Sequence, residues 1–283
     1  MMIQTKIQRT CLPHLLQSML IPAVMLITLM LTVQACDDFS TGTSSESGTM
    51  KVLMHDNIGD YQELWVDIQR VEVNNLADED TSWVVISEPQ ERYNLLELIN
   101  GAHEVLGEAE LEAGIYHQIR LILGDDNTIV VNDSTYQLQT PSAQQTGLKL
   151  NIDAEIQEDE SFILALDFDA DRSVVRRGPP QFPDENSYLL KPVIRAYNQA
   201  TTGSIIGIVD PAESNPWIYA IAGEDTVSST HSEANTGEFR LLGLPEDTYS
   251  VSVNPTEEGF DEVTITDVEV SAETETDLGT IEL

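Results

Sequence analysis

The sequence predicts an all-β protein made of two β-sandwich-like domains. No helical periodicity of any length follows Gly48. Short runs of alternating or β-branched residues occur instead, separated by Gly, Pro, Asn and Asp, which is the pattern of strands joined by turns. About 235 residues follow Gly48, and this length favours two domains.

The amino-terminal segment, residues 1–35, has the composition of a secretory signal. Lys6 and Arg9 lie near its start, it contains no acidic residue, and a mostly apolar run covers residues 15–33. A basic start followed by a short apolar region is typical of a signal peptide rather than of a folded helix. An uncleaved membrane helix is the alternative interpretation.

The apolar run ends at Cys36, which follows Val33, Gln34 and Ala35. These residues resemble a bacterial lipobox, with an unusual Gln in its middle place. The resemblance implies cleavage before Cys36 and lipid attachment to its thiol and new amino group; an ordinary signal with an incidental cysteine is the alternative. Residues 36–49 are rich in Ser, Thr and Gly, so they predict a flexible tether. Two or three acyl chains hold a protein firmly, because each buried methylene contributes about 0.8 kcal/mol.

The charge balance restricts the partners of the chain. Two of the 13 basic residues precede Cys36 and all 49 acidic residues follow it, which leaves 11 basic residues and a formal charge of −38 after the signal. Such a charge opposes binding to nucleic acid and to anionic bilayer surfaces. It suits a body that the lipid holds away from the bilayer, and no nucleic-acid partner is expected. With the anchor at Cys36, we expect a cell-envelope protein of a Gram-negative bacterium, on the periplasmic or the surface face of the outer membrane.

The first domain is predicted to cover residues 50–198, and the second residues 203–283. Between them, in "YNQATTG", the apolar character lapses. In the first domain, "YNLLELINGAHEVL" is the one candidate for a short helix. The predicted strands lie near Met50–Met54, Leu64–Val73, Trp83–Ser87, Tyr116–Leu123, Thr128–Val131, Ser134–Leu138, Leu148–Ile156, Phe162–Phe168 and Tyr188–Ala196.

Two of these strands, 148–156 and 162–168, alternate apolar and polar residues so regularly that they predict a hairpin. Apolar residues must face apolar residues across such a pair, and this condition leaves Glu158–Glu160 as the loop. The polar pairs would form an ion pair and a hydrogen bond on the second face. The expected cross-strand pairs are Ile156 with Phe162, Ile152 with Leu166, Leu150 with Phe168, Lys149 with Asp169, and Asn151 with Asp167.

Several segments together resemble a bacterial family of exported lipoproteins. They are "YNLLELINGA", "LEAGIYHQIRLIL", "QLQTPSAQQTGLKLNI", "LALDFDADRSVV" and "YLLKPVIRA", in that order. They closely resemble the domain-of-unknown-function family 4382, over roughly residues 50–197. The family implies no known activity.

The second domain opens with "GSIIGIVDP" and continues through "GEFRLLGLPEDTYSVSVNP". Its alternating apolar residues are predicted to share one core, with a turn at Gly243–Pro245. The segment resembles the carboxypeptidase regulatory-like, or transthyretin-like, family. This resemblance implies a seven-stranded sandwich of the carbohydrate-binding-like fold and implies no carboxypeptidase activity. The core residues are Phe239, Leu241, Tyr249, Val251 and Val253.

Few residues suggest chemistry. Asp167, Asp169 and Asp171 could bind Ca²⁺, but Arg172 and Gly178 stand where a helix–loop–helix calcium loop needs Gly and Glu. A polar face neutralised by Lys149 is the simpler interpretation, so no cofactor is expected. The histidines His55, His103, His117 and His231 have no zinc-ligand spacing, and Ser142 lies in no nucleophile elbow.

Aromatic and basic residues offer candidate contacts for a partner. Trp217, at the start of a strand, is the candidate for stacking on a sugar, whereas Trp65 and Trp83 are expected in the core. The basic cluster of Arg172, Arg176 and Arg177 either contacts a partner or compensates nearby acids.

The sequence thus predicts a non-enzymatic, lipid-anchored envelope protein that binds a glycan or an envelope protein. The alternatives are an architectural subunit of a surface assembly and a hydrolase with an unrecognised site.

Overall fold

The computed structural model describes residues 46–57, 61–75, 82–140, 147–178 and 187–283. Residues 45–283 form one compact unit, in which nearly all regular structure is β-strand. The predicted all-β class is confirmed. No helix among the described residues has the length and apolar character needed to cross a bilayer. The signal, Cys36 and the tether up to residue 45 lie outside the described residues, as do Ser142 and residues 179–186. Residues 47–49, which were predicted to belong to the tether, lie in the first strand instead.

The first sandwich has a four-stranded sheet facing a larger one. The smaller sheet has the order β13-β10-β1-β5, and β1 pairs in parallel with β10. The larger has the order β11-β12-β8-β7-β2-β6-β9, and β3 and β4 also pair with β2. The strands are β1 (Ser47–Asn57), β2 (Glu63–Asn74), β3 (Trp83–Ser87), β4 (Glu91–Asn94), β5 (Glu104–Glu112), β6 (Gly114–Leu123), β7 (Thr128–Val131), β8 (Ser134–Gln139), β9 (Leu148–Ile156), β10 (Ser161–Asp169), β11 (Val174–Arg176), β12 (Tyr188–Leu190) and β13 (Ile194–Asn198).

The core of this sandwich forms where alternate residues of β1 and β2 face each other between the sheets. Met50, Val52 and Met54 of β1 are fully buried, as are Leu64 and Val66 of β2. Each such side chain stabilises the fold by roughly 1.5–3 kcal/mol. The period of two in these strands therefore sets which face of each sheet is inside.

The predicted hairpin between residues 148–156 and 162–168 is wrong. Strand β9 pairs with β6 in the larger sheet, and β10 pairs with β1 and β13 in the smaller one. The loop Glu158–Glu160 carries the chain from one sheet to the other, and Thr49 N donates to Glu160 O at 2.8 Å. Both strands place their apolar residues in the same core, so the matched alternation reflects face-to-face packing rather than pairing.

The expected cross-strand pairs consequently do not form. Asn151 accepts a hydrogen bond from Gln118 Nε2 at 3.3 Å, and Lys149 Nζ lies 5.6 Å from the centre of the Trp83 ring. Asp167 is paired with Arg195, and Asp169 lies near Arg172. Lys149 and Asn151 thus lie on one sheet, and the two aspartates expected to pair with them lie on the other.

The candidate helix near residue 95 is reduced to one 3₁₀ turn at Leu95–Glu97, and β5 follows. Leu95 and Leu98 reach the core from this single turn. Asn100 (φ +54°) and Gly101 (φ +93°) then take left-handed backbone conformations that end any helix. Leu95 and Leu98, two of the apolar residues that suggested a helix, are therefore buried, but they belong to a tight bend.

The expected strand Tyr188–Ala196 is divided into β12 and β13. Pro192 interrupts it, because proline has no amide hydrogen to give to a ladder. Val193 N instead donates to Ser173 Oγ, and Lys191 N donates to Ser173 O. The short strands β4 and β11 and the nine-residue strand β5 were not predicted.

The second sandwich has seven described strands in sheets of three and four. The orders are β17-β14-β20 and β16-β15-β18-β19. The five predicted core residues are all buried. β17 runs through Pro245, so the turn expected at Gly243–Pro245 lies at Glu246 instead. The strands are β14 (Thr202–Asp210), β15 (Trp217–Ala222), β16 (Asp225–His231), β17 (Glu238–Pro245), β18 (Asp247–Asn254), β19 (Val263–Val270) and β20 (Glu275–Glu282).

The second sandwich covers the outer face of the smaller sheet of the first. Leu53 and Ala165, which point away from the first core, are only 7% and 3% exposed. The two sandwiches are linked by one 3₁₀ turn at Gln199–Thr201. This covered face brings the charged and aromatic residues described next into contact.

Candidate functional site

The contact between the sandwiches is organised around the carboxylate of Asp167. Asp167 lies on the outward face of β10, yet its side chain is 4% exposed. Arg195, on the neighbouring strand β13, donates to Asp167 Oδ2 from Nη2 at 2.7 Å and from Nε at 3.2 Å. A buried carboxylate needs such a partner, because an unpaired charge in the interior is costly.

The same guanidinium also binds the second sandwich. Arg195 Nη1 donates to Gly243 O at 2.6 Å, and Nη2 donates to Leu242 O at 3.0 Å. One side chain therefore joins a buried carboxylate of the first sandwich to two backbone carbonyls of the second. We call His55, Asp167, Arg195 and Tyr197, with the Leu242–Gly243 backbone, the joint.

His55 and Tyr197 complete the joint. The two side chains share a hydrogen bond of 2.8 Å between His55 Nε2 and the Tyr197 hydroxyl. His55 Nδ1 lies 3.5 Å from Asp167 Oδ1, which is longer than a good hydrogen bond. The carboxylate favours the tautomer with its proton on Nδ1, so Nε2 accepts from Tyr197.

Burial keeps both rings neutral. It lowers the pKa of His55 below its ordinary 6.5, and Arg195 and His103 lower it further against the opposing charge of Asp167. Burial, together with Asp167, raises the pKa of the Tyr197 phenol far above its ordinary value. A phenol with a raised pKa resists giving up its proton, so the arrangement does not activate Tyr197 as a nucleophile.

Asn100 forms a second link between the sandwiches. Its Oδ1 accepts from Thr230 Oγ1 at 3.0 Å and from Arg240 N at 3.2 Å. Its Nδ2 donates to His231 O at 3.1 Å and to Glu233 Oε1 at 3.3 Å. The Asn100 amide thus forms hydrogen bonds with groups on β16 and β17 and with Glu233, the acid that follows β16. Asn100 lies in the bend found in place of the predicted helix, so this bend attaches the second sandwich to the first.

A cleft of about 830 Å³ lies beside the joint. Leu53, Ile163 and Ala165 of the smaller sheet line it on one side, and Arg240 and Leu242 of β17 line it on the other. Clefts between packed domains are frequent ligand sites. The cleft is a candidate binding site that the sequence did not reveal.

The three aspartates suggested for Ca²⁺ have separate roles. Asp167 belongs to the joint, and Asp169 accepts from Arg172 N at 2.9 Å as the cap of the short helix α1 (Ala170–Ser173). Asp171 is exposed within that helix. Because the strand ends at Asp169, the alternation that would align the three carboxylates stops there. Within the described ranges, no three His, Cys, Asp or Glu side chains are grouped as metal ligands.

Trp217 is partly buried at the start of β15. Its ring lies 6.4 Å from that of Tyr219 at an interplanar angle of 24°, and 5.2 Å from His231 in an edge-on contact. The predicted core positions of Trp65 and Trp83 are wrong, because both side chains are only partly buried and neither belongs to the core. Trp65 alternates with the buried Leu64 and Val66 and so takes the outer face, where it lies under a guanidinium (the Arg92 carbon is 5.2 Å from the ring centre).

The basic cluster is tied to its surroundings. Arg172 lies 3.7 Å from Asp169 and is 72% exposed. The Arg176 guanidinium lies 5.8 Å from the centre of the Tyr188 ring. Arg172 thus provides the local charge compensation that was one of the two interpretations.

Comparison with known proteins identifies the first sandwich. The family model described as "Domain of unknown function (DUF4382)" matches residues 47–192, about half of the chain. The chain belongs to the DUF4382 family. The DUF4382 match includes His55, Asn100 and Asp167 and ends just before Arg195 and Tyr197. The joint therefore connects DUF4382 residues to the strand that leads into the second sandwich.

Outside the DUF4382 match, similarity is weak. No curated protein matches the chain in sequence. The Bacillus anthracis TIE protein is 12% identical, with 84% of this chain and 33% of that chain covered and a TM-score of 0.20. This chain thus spans about a third of the length of the TIE protein. The major pilin T-13 of Streptococcus pyogenes is 8% identical, with coverages of 84% and 99% and a TM-score of 0.16. Such TM-scores define no common fold.

Proposed function

We propose that this DUF4382 protein is an exported, lipid-anchored and non-enzymatic envelope protein that binds a glycan or an envelope protein. The signal-like segment and the lipobox-like residues before Cys36 support the export and the anchor. The strong negative charge disfavours nucleic acid as a partner.

The observation that carries the proposal is the joint. Its histidine, tyrosine, arginine and buried aspartate are bound to one another and to the Leu242–Gly243 backbone. A catalytic histidine would need one nitrogen free to exchange a proton with substrate. In the joint, one His55 nitrogen contacts Tyr197 and the other contacts Asp167, so these groups serve to hold two sandwiches as one binding body.

The second sandwich supports a role in binding. Its sheets of three and four strands, with Leu242–Gly243–Leu244–Pro245 before the Tyr249 strand, agree with a carboxypeptidase regulatory-like, or transthyretin-like, module. We infer that it is such a module and that it has no activity of its own.

A glycan array tests the binding role, with Trp217→Ala as the first variant. Trp65→Ala is the matched control, because Trp65 is also a partly exposed tryptophan, on the first sandwich. Selective loss with Trp217→Ala is the result expected if its ring stacks on sugar. An array without any signal counts against glycan binding. An envelope protein then remains as the proposed partner, and co-purification from membranes tests for it. Turnover of generic ester, peptide or glycoside substrates would refute the non-enzymatic role.

An architectural role has one observation in its favour. Val84 and Val85, adjacent on β3, are 41% and 44% exposed. Exposed apolar side chains on a strand favour contact with another protein. Isolation of a stoichiometric assembly that Val85→Glu disrupts would support this alternative. Recovery of the protein only as a monomer, after mild detergent extraction of native membranes, would exclude it.

A further inference from the structure

The cleft beside the joint has walls that are held in place from both sides. The four hydrogen bonds of Asn100 fix β16 and β17 against the first sandwich, and Arg195 fixes the Leu242–Gly243 backbone. A site with fixed walls binds its ligand without the cost of ordering them. The cleft therefore has the rigidity that a binding site requires.

The charges around the cleft are largely compensated. Arg240 and Glu275, which both line the cleft, are paired with each other, and Arg195 of the joint is paired with Asp167. Burial keeps His55 uncharged. Glu273 adds one further acid, so the lining offers an anion no net positive charge. In a chain of formal charge −36, this is a comparatively neutral surface.

Several polar groups in the lining are free to bind a ligand. Ser161, Gln199 and Ser204 line the cleft, and their side chains have no hydrogen bond to any residue that the structure describes. His103 Nδ1 donates to Gly101 O at 3.1 Å, which leaves its Nε2 as an acceptor. Hydroxyl and carboxamide groups can each donate and accept hydrogen bonds. They can therefore bind ligand hydroxyls that act as donors or as acceptors.

The side of the cleft formed by the smaller sheet, which we call its floor, is apolar. Leu53, Ile163 and Ala165 line it, and Ile163 offers most of the accessible apolar surface because Leu53 and Ala165 are only 7% and 3% exposed. The C–H faces of a sugar ring can cover such a floor while its hydroxyls reach the polar rim, so apolar area leaves water without loss of hydrogen bonds. A purely apolar ligand would leave the polar groups of the rim without hydrogen-bond partners. An anionic ligand would find no unpaired cationic side chain in the lining.

From this combination we propose that the cleft binds an uncharged oligosaccharide. The inference rests on the proposed binding function and names its site and ligand class. It places the sugar between the sandwiches rather than at Trp217.

The test uses the full mature chain on an array that carries neutral and acidic oligosaccharides and peptides. Gln199→Trp fills the cleft from an exposed position on the linking turn. Gln157→Trp is the matched control, because Gln157 is also exposed but lies in the loop before β10, outside the cleft lining. His103→Ala with Gln199→Ala removes two of the free polar groups. Circular dichroism and thermal unfolding verify that every variant is folded.

The proposal predicts binding to neutral oligosaccharides that Gln199→Trp abolishes and that Gln157→Trp and Trp217→Ala preserve. The double alanine variant should weaken binding by about tenfold or more. If Trp217→Ala alone abolishes binding, the cleft is refuted and glycan binding stands. If only acidic sugars or peptides bind in a manner sensitive to Gln199→Trp, the ligand class is refuted. If the array gives no signal while a membrane protein co-purifies, the cleft inference fails and the binding function stands; if neither occurs, both fail.

Discussion

Replacing Arg195 with alanine should strongly destabilise the protein. The change removes the partner of Asp167, whose side chain is 4% exposed, and the donors to Leu242 O and Gly243 O. Breaking a buried ion pair costs roughly 3–5 kcal/mol. Arg195 is 30% exposed, so water can partly replace it, and we expect the lower end, about 3 kcal/mol. Urea unfolding of the mature protein, followed by circular dichroism, measures this loss.

Arg172→Ala is the control for this experiment. Arg172 also faces an aspartate, at 3.7 Å, but it is 72% exposed. Surface pairs of this kind contribute about 0.5 kcal/mol or less. A double-mutant cycle with Asp167→Ala isolates the coupling between the two joint residues. A loss below about 1 kcal/mol for Arg195→Ala, or the same loss for both arginines, would refute the argument that the joint holds the sandwiches together.

Two further predictions concern the joint. Because the pKa of folded His55 lies below 6.5, the unfolded chain binds a proton first as the pH falls. The contribution of neutral His55 to stability should be complete above about pH 6.5 and should decline as the pH falls from there toward the folded pKa. Thermal unfolding between about pH 5 and 8 measures this decline, and His55→Gln should make it less steep. An unchanged pH dependence in His55→Gln would contradict the conclusion that His55 is buried in its neutral form. Gly243 and Gly223 both have φ +64°, but a Cβ at Gly243 would lie 2.4 Å from the Tyr197 ring, whereas Gly223 has open space. Gly223→Ala should cost about 1 kcal/mol and Gly243→Ala about 3 kcal/mol, so equal losses in urea unfolding would argue against close packing at Tyr197.

The strands were predictable where alternation was regular. The bounds of β3, β7 and β9 agree with the predicted ones. In β9 the alternation corresponds to a buried face, formed by Ile152, Ala154 and Ile156. Alternation does not determine which strand is the neighbour. Two consecutive strands with matching apolar faces can pair side by side or face each other across a core, and β9 and β10 do the second. The wrong hairpin followed from that ambiguity.

The joint was missed because its members are far apart in sequence. His55 and Tyr197 are separated by 142 residues, and Arg195 lies 48 residues from Gly243. One signal was present. Ile163 and Ala165 give β10 apolar residues on its second face as well, which indicates a strand covered on both sides. Read in that way, Asp167 on the same face would have been expected to be buried and to need a cationic partner.

The intact mass of the protein purified from its own cell envelope is the most direct test of the proposed anchored binding protein. We expect a chain that begins at Cys36 and is heavier than its polypeptide by a diacylglyceryl group and an amide-linked acyl chain. A chain that retains residues 1–35, or one that begins at an unmodified Cys36, would contradict it.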